Sequence, residues 1–256
     1  MHRISTFKEA MSMRKAVKII AGIDNFDMNR VRNVVEAATQ GGAHAVDICF
    51  NKEIFDMARE ITNLPIFVSS VVPSELATAA EWGADAIELG NYDALTRSGR
   101  LMTADEVWNL ARETRTLLNG KEVFFCVTIP GHISCSEQIE LAHKLESIHV
   151  DLIQTEGSMT SEHHFTGSMG LVETAMRTMA NTMELSANIE SIPVMTASGI
   201  SVKTIAMAFS AGACAVGVGS AVNKCDSLIA MIATVRSLIE ASSKWSYNCS
   251  RETLNV

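Results

Sequence analysis

The chain has 256 residues, of which 47% are hydrophobic and 20% charged, and its formal net charge is -8 at pH 7. This is the composition of an ordinary soluble globule, long enough for one α/β barrel or two small domains. The acidic balance argues against nucleic acid as a partner, because phosphate backbones attract basic surfaces, and no apolar run reaches the roughly 20 residues of a membrane helix.

The N-terminal segment lacks the apolar stretch of a secretory signal. Residues 7–18 predict a short helix that leads into the first strand. The six cysteines have no spacing typical of metal ligands, so we expect unpaired, mostly buried thiols. We therefore predict neither a bound metal nor a cofactor.

Eight short apolar runs follow, each bounded by turn signals. Such runs are typical of parallel strands that are covered on both faces. Helical patterns separate them, and the capping box of Thr103 and Glu106 marks the start of one helix. The predicted strands are 17–24, 45–51, 65–70, 86–91, 123–130, 152–157, 193–199 and 215–222, and the clearest helices are 29–40, 103–118, 136–147 and 226–241.

An internal repeat supports a closed barrel. Residues 65–90 and 193–219 both run from a strand that begins with proline, through a helix, to a strand that begins with Gly-Ala. Alternation of strand and helix predicts a single (β/α)8 TIM barrel with a short N-terminal helix. The domain would span 1–256, with the barrel at about 16–241 and a polar, frayed tail at 242–256. An open doubly wound sheet is the alternative, but eight units without a linker favour closure.

Strand alternation predicts which polar side chains point into the barrel. Lys18, Asp47, Glu88 and Glu156 fall on the inward face. They could form a catalytic acid/base set, because burial can move the pKa of a lysine or a carboxyl group towards neutrality. They could equally form a structural ion-pair network, because a buried charge is costly unless it is paired. The sequence leaves both interpretations open.

The loops after the last two strands predict an anion site. The seventh predicted strand ends in Thr-Ala-Ser-Gly and the eighth in Gly-Val-Gly-Ser. In many barrels these loops hold phosphate on backbone amides, and glycine allows the backbone to approach the oxygens closely. The alternative is that the glycines serve only barrel packing. The predicted phosphate-binding residues are Ser198, Gly199, Gly217, Gly219 and Ser220, with Ser201 and Lys203 as further donors.

Other loops give weaker indications. Residues 157–168 form a polar loop long enough for a lid, but its adjacent His163 and His164 are poorly suited to metal binding because neighbouring loop side chains point apart. Arg97 and Arg100, after the fourth strand, fit either a solvated loop or an anion contact. Methionines within 169–183 are interpreted as core filling.

Five segments together resemble a known family. They are residues 18–27, 64–70, 87–93, 153–157 and 217–224, and the likeness extends from about 7 to 241. The sequence resembles the hypothetical chloroplast open reading frame twenty-three family. The resemblance implies an aldolase-type barrel in a plastid stroma, or in the cytoplasm of a cyanobacterium, and carries over no catalytic residue. The last two loops also resemble those of phosphate-binding barrels such as indole-glycerol-phosphate synthase, thiazole synthase and sugar-phosphate epimerases.

Two functions follow as hypotheses. The first is a metal-independent lyase, isomerase or synthase that acts on a phosphorylated small molecule. The second is a non-catalytic barrel that senses such a metabolite or binds a protein partner in a plastid assembly. The sequence leaves the oligomeric state open.

Overall fold

The computed structural model of the chain describes residues 3–92, 95–96, 98–157 and 165–252, with side chains as far as Trp245. Eight parallel strands close into a barrel in chain order, with β1 paired to β8. The predicted (β/α)8 fold is confirmed. The strands are β1 (Ala16–Ile20), β2 (Ala45–Cys49), β3 (Ile66–Ser70), β4 (Ala86–Leu89), β5 (Phe124–Ile129), β6 (Leu152–Thr155), β7 (Val194–Thr196) and β8 (Ala215–Val218).

Helices connect the strands on the outside of the barrel. Several begin where the sequence offers a cap, as at Thr103, whose capping box with Glu106 is present. The described helices are α1 (Ile4–Ser12), α2 (Met28–Gly41), α3 (Lys52–Ile61), α4 (Pro73–Glu81), α5 (Ala104–Leu118), α6 (Cys135–Glu146), α7 (Gly167–Asn188), α8 (Ile205–Ser210), α9 (Ser220–Asn223) and α10 (Leu228–Glu252). None of these helices is both long enough and apolar enough to cross a membrane.

Phe7 of α1 closes the N-terminal end of the barrel. Its fully buried ring packs edge-on against Phe67 at 5.3 Å and Phe124 at 6.3 Å between centroids. These rings belong to an apolar cluster inside the strands, separate from the larger cluster between strands and helices. The lower lumen is therefore packed, and polar groups occupy only its upper part.

Both ends of the chain differ from the sequence prediction. The first helix begins at Ile4, before the predicted stretch of 7–18, and ends at Ser12, because Arg14 has a positive φ of 50° and turns the chain into β1. The tail predicted to fray from 242 is instead helical as far as Glu252. Ser242 anchors this extension by donating a hydrogen bond to the Lys15 carbonyl at 2.6 Å, and Trp245 packs against the core.

Two predictions about apolar side chains need correction. Met169, Met176 and Met183 are 59–61% exposed rather than core residues. Their spacing of seven places them on the outer face of α7, whereas Met179 faces inward and is buried. The described cysteines are unpaired, as predicted, but Cys135 is exposed at the start of α6.

Candidate active site at the carboxyl ends of the strands

A buried ion pair lies in the upper lumen. Lys18 of β1 donates a hydrogen bond to Glu88 of β4, and neither side chain has exposed surface. Gln154 of β6 donates to the other carboxylate oxygen of Glu88 at 2.8 Å. Burial alone lowers the pKa of Lys18, but the carboxylates of Glu88 and Asp47 outweigh burial and raise that pKa above its usual value. The lysine is therefore held in its charged form.

Asp47 of β2 lies beside this pair and is also fully buried. Ser69 Oγ donates to Asp47 Oδ1 at 2.5 Å, and Asn91 Nδ2 donates to Oδ2 at 3.1 Å. Burial raises the pKa of Asp47 to about 7, against the opposing charge of Lys18. A carboxyl group that titrates near neutral pH can both accept and release a proton under ordinary conditions.

Glu156 follows the end of β6 and is almost fully buried. Its carbonyl oxygen accepts a hydrogen bond from Asn181 at 3.2 Å. Burial, reinforced by the charges of Glu156 and Glu88, raises the pKa of Tyr92 well above its usual value. The Tyr92 hydroxyl is buried without a hydrogen-bond partner among the described residues.

A polar cavity of about 320 Å³ opens between the loops that follow β1, β7 and β8. We call it the phosphate cavity, after the anion that the sequence predicts at these loops. Of the predicted anion-binding residues it contains Ser198, Gly199, Gly219 and Ser220. Its other walls come from the end of β1, its following loop, Asn91 and the end of α9. These further lining residues are Ile20, Ala21, Gly22, Ile23, Asp24, Asn91, Ala197, Ile200, Asn223 and Lys224.

Hydrogen-bond donors are available on this wall. The backbone N–H groups of Gly199, Gly219 and Ser220 have no acceptor among the residues that the structure describes. Lys224 adds a positive charge at the rim, and its side chain is exposed. Asp24 is the acidic residue of this lining. An anion would therefore bind on the side of β7 and β8, away from Asp24.

Gly199 has two structural reasons to be glycine. Its φ is +74°, in the left-handed region that other residues rarely adopt. A Cβ atom would also lie 2.9 Å from the Thr174 carbonyl carbon of α7. Packing alone therefore accounts for this glycine, whose N–H group has no acceptor among the described residues.

Three predicted donors lie elsewhere. Gly217 is inside β8 and faces the lumen below the cavity, where a Cβ would meet Ile20 at 2.9 Å. Ser201 caps a turn, with its N–H bonded to Thr204 Oγ1 at 2.9 Å. Lys203 precedes α8 and donates to Ser168 at 2.7 Å, so it does not line the cavity.

A second, more apolar cavity of about 250 Å³ lies next to the first, at the ends of β2, β3 and β4. We call it the apolar cavity. It shares Ile23 and Asp24 with the phosphate cavity. Ser69 also lines it, so the serine bonded to Asp47 belongs to one cavity and the asparagine bonded to Asp47 belongs to the other.

Of the remaining candidates, Arg100 is the one that falls within the described residues. Arg97, His163 and His164 lie outside the described residues. Arg100 forms an exposed ion pair with Glu106 at 3.7 Å. Within the described part of the chain, no cluster of three His, Cys, Asp or Glu side chains is placed to hold a metal ion.

Comparison with known sequences identifies the family. Residues 3–248 match the family described as "Protein of unknown function (DUF561)". The chain belongs to this family. A DUF561 relative from Cyanophora paradoxa, "Uncharacterized protein ycf23", is 34% identical over 87% of this chain and 90% of its own length. One of the same name from Pyropia yezoensis is 34% identical over 86% of this chain and 79% of its own. The resemblance seen in the sequence is confirmed, and these algal relatives are plastid-encoded.

Solved structures show the same fold. Thiamine phosphate pyrophosphorylase from Pyrococcus furiosus has a TM-score of 0.57 and 16% identity, covering 91% of the DUF561 chain and 97% of its own. A truncated 3-deoxy-D-arabino-heptulosonate 7-phosphate synthase from Thermotoga maritima has a TM-score of 0.59 and 12% identity. The match covers 94% of this chain and 88% of the synthase chain. At these identities the likeness establishes the (β/α)8 barrel fold and no reaction.

The sequence interpretation missed several residues of this cavity, among them two on or next to α9. Asn223 and Lys224 line the phosphate cavity together with Ser220. A signal was present, because residues four apart share one face of a helix, which brings Lys224 to the side of Ser220 across α9. The side-chain amide of Asn223 donates a hydrogen bond to the Ile20 carbonyl at 2.8 Å. Its side-chain oxygen, Oδ1, is buried without a partner among the described residues.

Proposed function

We propose that the protein binds the phosphate group of a small metabolite in the phosphate cavity and runs a lyase, isomerase or synthase reaction through a proton transfer to Asp47. The observation that carries this proposal is the hydrogen bond of 2.5 Å from Ser69 Oγ to Asp47. It connects a carboxyl group whose pKa is raised by burial to about 7 with the buried hydroxyl of a residue that lines the apolar cavity.

The phosphate end is supported by the donors on its wall. N–H groups of Gly199, Gly219 and Ser220 lack described acceptors, and Lys224 supplies charge. Charge-assisted hydrogen bonds of this kind are stronger than neutral ones. The position, at the loops after the seventh and eighth strands, is the one that phosphate occupies in many barrels. The two structural neighbours described above have phosphate compounds in their names.

Proton transfer would use the serine as a relay. Ser69 Oγ takes a proton from the ligand while it gives its own proton to Asp47, and the electron pair stays on the ligand as an enolate or an equivalent anion. In an isomerisation, the reverse transfer returns the proton to a different atom of the ligand. In a lyase or synthase reaction, the reverse transfer follows the cleavage or formation of a carbon–carbon bond. Lys18 and Glu88 act as positioning residues, because beside the larger effect of burial the charge of Lys18 lowers the pKa of Asp47 and that of Glu88 raises it. Glu156, beside Tyr92, is a second proton-transfer candidate.

Hydrogen exchange tests this reaction class without a known product. The protein is incubated in D2O with a panel of phosphorylated ketoses and aldoses, and loss of carbon-bound proton signals is followed by NMR. We expect exchange with at least one compound, and we expect Asp47→Asn to abolish it. Asp56→Asn is the matched control, because Asp56 lies on the exposed face of α3 in an ion pair with Lys52.

The outcome separates two hypotheses. Exchange that is unaffected by Asp47→Asn removes the proposed role of Asp47. Binding of phosphorylated compounds without any exchange favours the second hypothesis, a barrel that senses such a metabolite or binds a partner in a plastid assembly. Because the algal relatives are plastid-encoded, we place the protein in the plastid stroma, or in the cytoplasm of a cyanobacterium.

A further inference from the structure

The apolar cavity has a lining unlike that of the phosphate cavity. Six of its ten lining residues are large and apolar, and the others include two serines and two acidic residues. A cavity with mostly apolar walls and a few polar groups is the usual setting for the hydrophobic part of a small ligand. The apolar residues are Ile23, Phe26, Phe50, Val71, Val72 and Leu95.

Part of this lining is exposed at the mouth of the cavity. Phe26 is 61% exposed and Val72 is 41% exposed. The inner wall is held in place, because the Phe50 ring stacks on Trp82 at 4.6 Å with 14° between the planes. A flat, fixed wall and an exposed ring offer apolar area that a ligand could remove from water.

The two cavities lie side by side at the carboxyl ends of the strands. They share Ile23 and Asp24, and both reach Asp47, one through Asn91 and the other through Ser69. A single ligand that filled both would contact Ser69 and Asn91, the two residues that donate hydrogen bonds to the fully buried Asp47. Its reacting atoms would then lie near the carboxyl group proposed to move the proton.

The two cavities differ in the charge of their lining residues. Lys224 lies in the phosphate cavity, whereas the apolar cavity contains Glu75, which accepts a hydrogen bond from Ser70. Asp24 stands at the junction. A phosphate group is therefore favoured at one end and repelled at the other, so a ligand with phosphates at both ends is a poor match.

We propose that the ligand of this site is an amphipathic phosphate monoester, with its phosphate in the phosphate cavity and an apolar, preferably aromatic, group in the apolar cavity. The inference rests on the proposed function for the phosphate end. It narrows the substrate class from phosphorylated metabolites in general to those that carry an uncharged hydrophobic group opposite the phosphate.

The test compares two probes by calorimetry, n-propyl phosphate and 3-phenylpropyl phosphate. We expect the phenyl compound to bind the wild-type protein at least about tenfold more tightly. Phe26→Ser is expected to remove most of that advantage and to leave n-propyl phosphate binding unchanged. Phe165→Ser is the matched control, because Phe165 is also exposed, at 52%, but lines neither cavity.

The outcomes are separable. Equal affinity for both probes, or an equal effect of Phe26→Ser and Phe165→Ser, overturns the proposal of an amphipathic ligand. If n-propyl phosphate still binds in that case, the proposed phosphate site stands. Absence of n-propyl phosphate binding overturns the phosphate site and this inference together. Propane-1,3-bisphosphate is expected to bind no more tightly than n-propyl phosphate, and tighter binding contradicts the charge assignment of the two ends.

Discussion

Lys18 and Glu88 face each other across the barrel lumen as an ion pair with no exposed surface on either side chain. Four strands contribute to the surrounding hydrogen bonds, because Thr128 and Gln154 also reach the Glu88 carboxylate. The Lys18 ammonium group lies 4.8 Å from the centre of the Phe67 ring. The pair thus connects the polar upper lumen to the apolar lower lumen.

Breaking this pair should be costly. Lys18→Met leaves a buried carboxylate without its partner, and we expect a loss of about 3–5 kcal/mol in the free energy of unfolding. The double variant Lys18→Met with Glu88→Gln removes both charges and keeps an acceptor oxygen at residue 88 for Gln154 and Thr128. It should recover most of the loss in urea unfolding. Strictly additive losses in the two single variants and the double variant would show that the charges do not interact in the folded state.

The stability contribution of Asp47 should depend on pH. Burial raises the pKa of its carboxyl group to about 7 in the folded protein, well above the value of about 4 in an unfolded chain. Between these values the folded state binds more protons than the unfolded state, so this group makes stability fall as pH rises from about 4 to about 7. The fall is bounded by about 4 kcal/mol.

Urea unfolding of the wild-type protein and Asp47→Asn at several pH values measures this contribution. The difference in unfolding free energy, wild type minus variant, should decrease with rising pH over that window and level off above it. An increase with pH would mean that Lys18 stabilises the carboxylate more than burial destabilises it.

Two glycines at the end of β8 should respond differently to alanine. A Cβ at Gly217 would lie 2.9 Å from Ile20 Cδ1 and 3.1 Å from Ala197 Cβ, so Gly217→Ala should cost about 1–3 kcal/mol of stability. At Gly219 the nearest atom would be 3.6 Å away, an ordinary contact. Gly219→Ala should therefore leave the thermal midpoint nearly unchanged while weakening phosphate binding, because its methyl group enters the cavity. A lower thermal midpoint for Gly219→Ala than for Gly217→Ala would contradict this description of the packing.

The sequence was sufficient for the barrel because parallel strands covered on both faces are continuous apolar runs. Strand alternation likewise identified Lys18, Asp47 and Glu88 as inward residues, since each is the one charged residue of its strand and lies between neighbours that face the helices. Local pattern failed where tertiary contacts decide. The helix beyond 241 is polar in sequence, and it persists because Ser242 and Trp245 have partners at the bottom of the barrel.

The site was predictable only in outline. The glycine-rich loops indicated where an anion could bind, but whether a residue lies on the cavity wall or below it depends on one step along the strand, and Gly217 falls below it. The loop after β1 gave no signal of its own. Its Ile23 and Asp24 matter because barrel closure brings that loop beside β8 and makes it the shared wall of two cavities.

The most direct test of the account is calorimetric titration of inorganic phosphate into the wild-type protein, Lys224→Gln and Lys203→Gln. The two lysines carry the same charge, but Lys224 lines the phosphate cavity and Lys203 is bonded to Ser168 outside it. We predict saturable binding that Lys224→Gln weakens about tenfold and Lys203→Gln leaves unchanged. No binding to the wild-type protein, or equal weakening by both substitutions, would contradict a phosphate site between the loops after β7 and β8.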